Sequence, residues 1–232
     1  MLLLPIAYGV SPSHMVSDVP TKPVLSTIAR DGSGEFTEKR SRFLCTLRRV
    51  STMDAAQAVI AEVRQRDWDG RHHCTAVVLG VQGETVRSND DGEPAGTAGA
   101  PMLAALQGAG VSDVVAVVTR WFGGVLLGTG GLVRAYSKAV QLAIENVGTV
   151  QRREMQRATL AVTAAEAGRI ENALRQWIGQ HGGVLSGVQY GAQADFQLLV
   201  PPEEIDALER WRTQLGLSEL SYQDTAITEV RK

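Results

Sequence analysis

Cysteine is scarce in this chain. Cys45 and Cys74 are the only two in 232 residues, they form no Cys-x-x-Cys pair, and each lies in or beside an apolar run. This excludes a disulfide framework of the secreted kind and predicts reduced, buried thiols in a cytoplasmic protein, with a single disulfide as the alternative. No stretch approaches the roughly 18 consecutive apolar residues of a membrane span, so no membrane association is expected. Positive charge is not in excess either: 23 Lys and Arg against 25 Asp and Glu, with His neutral, give a net charge of −2. Coating nucleic acid by bulk electrostatics is thereby excluded, and any RNA contact must use a local basic patch. His-Glu-x-x-His, metal-loop spacing and a nucleophile elbow are all missing, so no metal and no cofactor is assigned.

What the chain has instead is glycine, concentrated in two unusual loops. Arg120-Trp121-Phe122-Gly123-Gly124-Val125-Leu126-Leu127-Gly128-Thr129-Gly130-Gly131-Leu132-Val133-Arg134-Ala135-Tyr136 follows the apolar stretch Val114 to Val118 and opens an amphipathic helix. Gly123, Gly124, Gly128, Gly130 and Gly131 permit positive φ and close backbone approach, and exposed N–H groups running into a helix N-terminus suit an anion. Arg120 and Arg134 flank the loop and offer forked donors for phosphate. Trp121 or Phe122 could stack a base, or lie in the core. No Gly-Lys-Ser/Thr closes the loop and no G-x-G-x-x-G fits it, so it is neither a Walker A loop nor a dinucleotide fingerprint. A tight strand-to-helix crossover in which glycine serves packing is the alternative. The second loop, Ser88 to Pro101, holds Asp91, Gly92, Glu93, Gly96 and Thr97, which would flank or gate the same surface.

Together, Asp-Gly-Glu-Pro-x-Gly-Thr-Ala-Gly-x-Pro, Arg-x-Phe-Gly-Gly-x-x-Leu-Gly-x-Gly-Gly-Leu-x-Arg-Ala-Tyr, and His73 ahead of the strand at Thr75 closely resemble the IMPACT (YigZ, UPF0029) family over about Thr27 to Val147. Trp121 departs from the tyrosine usual at its position. The resemblance implies an α+β chain in which a domain like the second domain of ribosomal protein S5 precedes a ferredoxin-like one. It also implies a link to translation, since eukaryotic relatives regulate translation under amino-acid starvation through a protein partner.

The residue pattern gives a leader over residues 1–23, disordered or carried over from expression, a first domain over 24–153 and a second over 154–232. Val24 to Ala29 and Ser41 to Val50 read as paired strands around Asp31-Gly32-Ser33-Gly34, with Phe43, Cys45 and Leu47 inward and Arg42, Thr46 and Arg48 wet. A helix capped by Ser51 or Thr52 buries Met53, Ala56, Ile60 and Val63. Another, from about Leu132 to Asn146, carries the stripe Val133, Tyr136, Val140, Ala143 and Val147. After Gly148 the signals run strand, helix, strand, strand, helix, strand, with Gln151-Arg152-Arg153-Glu154 as the connection.

Asp90, Asp91 and Glu93, near His72 and His73, suggest acid–base chemistry, with His73, Asp91 and Glu93 as the catalytic candidates; the competing reading gives these acids to caps and turn hydrogen bonds. His73 reads foremost as the residue that holds the loop against the strand, and Cys74 beside it points to the opposite face. The resulting expectation is a cytoplasmic translation-associated factor binding RNA or a ribosome-linked partner. The alternatives are an enzyme acting on a small phosphorylated substrate and a purely protein-binding regulator, with the oligomeric state open.

Overall fold

The computed structural model describes residues 23–230, so the expected leader, apart from Pro23, lies outside the described residues. In chain order the elements are β1 (Thr27–Ile28), β2 (Gly32–Glu38), β3 (Ser41–Arg49), α1 (Met53–Arg66), β4 (His72–Leu79), β5 (Thr85–Asn89), α2 (Gly99–Gly108), β6 (Val114–Trp121) and α3 (Thr129–Val147). They continue as β7 (Thr149–Thr163), α4 (Ala167–His181), β8 (Val184–Tyr190), β9 (Gln193–Val200), α5 (Ile205–Gln214) and β10 (Ser221–Val230). The fold is α+β, with two sheets.

The first sheet is antiparallel in the order β2-β3-β6-β4-β5. Its central strand explains the unbroken valine run. Val114, Ala116 and Val118 face α2 and α3, while Val115 and Val117 face α1, so both sides of β6 are buried. Thr52 caps α1, its hydroxyl accepting the Ala55 N–H at 3.2 Å. Cys45 and Cys74 both pair with Val118, from opposite sides. Two strand spacings put their Cα atoms about 10 Å apart, beyond disulfide reach.

Several local expectations are corrected. The first hairpin turns at Lys39-Arg40, both at positive φ, and Gly32 to Gly34 lie in strand β2. β1 pairs with Thr149–Val150 of β7 and not with β3. Thr46 is buried because α1 covers that face of the sheet. α3 begins at Thr129, and its core stripe uses Leu132 and Ala135; Val133 is 37% exposed.

The second sheet has the order β10-β7-β9-β8, all antiparallel, with the core of Leu160, Ile170, Leu174, Phe196 and Leu208 beneath α4 and α5. The expected connection at Gln151 to Glu154 is part of an uninterrupted 15-residue strand, β7, paired there with β10. Arg152 extends from it to Asp113 and Ser112 and donates to the Leu25 carbonyl at 2.7 Å, while Arg49 pairs with Glu229 of β10. No helix among the described residues is long and apolar enough to cross a membrane.

Candidate functional site

β6 carries Thr119, Arg120 and Trp121 out of the valine core toward the glycine loop. Arg120, expected on the surface as a phosphate ligand, is only 5% exposed. Its Nη1 donates to Glu93 Oε1 at 2.6 Å, and the Tyr136 hydroxyl donates to the same oxygen at 2.7 Å. Nη2 lies 3.3 Å from Ser41 Oγ, which in turn accepts the Gly123 N–H at 3.3 Å. One buried carboxylate therefore ties the Asp-Gly-Glu-Pro loop to β6 and α3, and Ser41 joins the glycine loop to the hairpin. Burial, reinforced by Cys74 and Glu93, pushes the Tyr136 hydroxyl far above its ordinary range, so it remains a donor. Burial likewise pushes the Cys74 thiol up to about 12, against an opposing hydrogen bond with Tyr136.

The other loop acids are committed to backbone N–H groups and, for Asp91, also to the Arg64 guanidinium. Asp90 accepts N–H groups from Gly96, Ala98 and Gly99 at 2.8 to 3.0 Å, organising the start of α2. Asp91 accepts the His73 N–H and Arg64 Nη2, each at 2.6 Å. Burial alone would raise both carboxyls, but these donors outweigh it and hold them below the ordinary carboxylate value. His73 is buried, its Nε2 bonded to the Asp67 carbonyl at 3.0 Å, and Thr97 Oγ1 donates to the Pro94 carbonyl at 2.7 Å. Among the described residues no group of three His, Cys, Asp or Glu is placed to hold a metal ion.

The glycines divide by role. A Cβ on Gly123 would overlap the Arg40 backbone, so this position serves the packing of the loop on the hairpin. Gly128, at φ 72°, forms the uncapped start of α3, with no acidic residue in the first turn. Gly124 also has positive φ, whereas Gly130 and Gly131 lie inside the helix.

Two adjoining clefts open around this loop. The first, about 430 Å³, lies between the two loops; Arg71, His72, Glu93, Arg120, Phe122 and Gly128 line it. The second, about 220 Å³, holds Lys39, Arg134 and Lys138 around Phe36 and Gly131. Leu127 lines both. Arg134 thus belongs to the second cleft and Arg120 to the floor of the first, with Gly92 also on the first cleft's wall. Trp121 is covered by the Arg42 guanidinium at 3.6 Å, while Phe122 is 40% exposed.

Arg71, His72, Lys39 and Lys138 were not singled out by the sequence for this surface. The strand alternation of His72 and His73 was the available signal, since it sends one ring to the core and the other to the cleft. Lys138 stands four residues after Arg134 on the polar side of α3, which was a local signal, whereas nothing local marks Lys39, which the β2–β3 turn brings to the same cleft.

An Impact N-terminal domain model matches residues 39–144, and a domain of unknown function (DUF1949) matches residues 165–215. The IMPACT family member YvyE of Bacillus subtilis (strain 168) is 38% identical over 213 residues, covering 89% of this chain and 96% of that protein. The IMPACT family member YigZ of Escherichia coli (strain K12) is 43% identical over 144 residues, 61% of this chain and 71% of its own. A solved structure described as that of a hypothetical protein superposes with a TM-score of 0.55 at 34% identity, over 85% of this chain and 95% of that one.

Proposed function

Because the chain belongs to the IMPACT family, we propose that it acts in translation control, binding RNA, free or on the ribosome, at the clefts around its glycine loop. One observation carries this reading. Despite a net charge of −2, exposed Lys39, Arg71, Arg134 and Lys138 gather in two clefts that share Leu127, outnumbering the acids there, Glu38 and the Arg120-paired Glu93. A local basic surface of that kind attracts phosphates without making the whole chain basic. The reading also takes the first sheet and its helices as S5-domain-2-like and the second as ferredoxin-like. The β-α-β-β-α-β order and the β10-β7-β9-β8 sheet support the latter name.

Turnover of a small phosphorylated substrate finds less support. Asp91 and Glu93 already accept from two donors each, and His73 is held in the interior.

The test is equilibrium binding of a labelled structured RNA across a salt series, for wild type and the double variant Arg134→Ala, Lys138→Ala. Affinity should fall as salt rises, and the variant should bind more weakly, its log–log salt slope shallower by roughly 0.7–0.9 for each phosphate that it no longer neutralises. Absence of wild-type binding at low salt would overturn the reading and favour a protein partner.

A further inference from the structure

Of the forms RNA can take, the geometry points to a single strand, one nucleotide of which enters the first cleft with its phosphate at the α3 N-terminus and its base against Phe122. This inference rests on the RNA reading above and names the substrate form.

The cleft is the size of a small-molecule site, about 430 Å³, and an unpaired nucleotide can enter it where a stacked base pair cannot. Phe122, 40% exposed, lines its wall, with the Arg120 guanidinium carbon 5.6 Å from its ring centroid. The Arg71 guanidinium carbon stands 5.8 Å from that ring, and guanidinium planes stack bases as aromatic rings do. Trp68, 81% exposed, precedes Arg71 by three residues on the turn into β4, where the Arg71 N–H bonds to the Arg120 carbonyl. A second unpaired base has an aromatic surface there. The second sheet also carries exposed tyrosines, Tyr190 on β8 and Tyr222 on β10, but their hydroxyls are tied to Glu171 and Glu209, so a carboxylate stands beside each ring; the β7 and β9 residues turned away from α4 and α5 are Arg157, Thr159, Ala161, Asp195, Gln197 and Leu199.

Two independent features suit the phosphate. α3 starts without a side-chain cap, its first helical bond runs from Leu132 N–H to the Gly128 carbonyl, and the N–H groups of the preceding turn are left for an anion. Beneath them Arg120 lines the cleft, and its buried Nε has no hydrogen-bond partner among the described residues. The sugar has an acceptor. His72 Nδ1 lies 2.8 Å from the Asp91 carbonyl, which can only accept, so Nε2 of the neutral ring is free to take a ribose 2′-hydroxyl. Across Leu127, Lys39, Arg134 and Lys138 meet the phosphates that follow.

The experiment compares a single-stranded oligoribonucleotide with its duplex by equilibrium binding to wild type, Phe122→Leu and Phe122→Trp. Wild type should bind the single strand at least tenfold more tightly than the duplex; Phe122→Leu should lose roughly tenfold on the single strand alone, and Phe122→Trp should keep it, because stacking needs only a π-face. Salt-sensitive binding that is equal for both forms and indifferent to Phe122→Leu would overturn this inference and leave the RNA reading standing. Failure of wild type to bind either form at low salt would overturn both.

Discussion

Glu93 and Arg120 are among the least exposed charged side chains in the described chain, with side-chain exposures of 4% and 6%. Truncating one leaves the other as an uncompensated buried charge. Arg120→Ala should therefore cost about 3–5 kcal/mol of folding stability, read by urea denaturation. A loss below about 1 kcal/mol would contradict the clamp. The sequence made Arg120 look like a surface ligand because arginine beside a glycine loop has that chemistry. Its partner lies 27 residues away, and only the folding of the second loop onto β6 reveals the pair. His73 is held, but not as read: its ring bonds the Asp67 carbonyl after α1, and its backbone N–H, which no side-chain signal marks, donates to Asp91 of the loop.

The Asp-Gly-Glu-Pro loop is stabilised as an element by Asp90 and Asp91, whose carboxylates collect backbone and arginine donors. Folding holds both carboxyls below their ordinary value of 3.8, so the unfolded chain takes up protons first. Their contribution is full above that value and is lost as pH falls through it toward the lower folded values. Asp90→Ala should cost about 1–3 kcal/mol at neutral pH by leaving buried N–H groups unpaired. In urea unfolding over a pH series, the gap between wild type and variant should narrow below about pH 4; a constant gap would contradict the assignment. Helices α1 and α3 and strands β3, β4 and β6 were legible from periodicity and caps. The turn at Lys39-Arg40 was not, because neither residue advertises positive φ, whereas Asp31-Gly32-Ser33-Gly34 advertises a turn that the α3 packing of Gly32 and Gly34 overrides.

Across the whole molecule the chain passes between the two sheets into β7, with Arg152 reaching to the segment before β1 and the turn before β6, and Arg49 reaching to β10. The order of elements could be read from the sequence in the second half and, apart from β2, in the first, but this junction could not. Gln151 to Glu154 is charged and looks like a connection, yet Arg152 pairs with Asp113 across the junction, Arg153 pairs with Glu203, and β10 takes up the backbone of the strand. The glycine loop likewise suggested Arg120 and Arg134 as flanking cations; the first is buried against Glu93 and the second stands exposed on the second cleft. Under the proposed function, RNA meets the chain at the clefts around this loop. The most direct measurement is ultraviolet crosslinking of a bound oligoribonucleotide, with the attached peptides identified by mass spectrometry. Crosslinks are expected on peptides containing Trp68, Arg71 and Phe122, lost in high salt. Crosslinks confined to the β7–β10 half, or none from RNA bound at low salt, would contradict it.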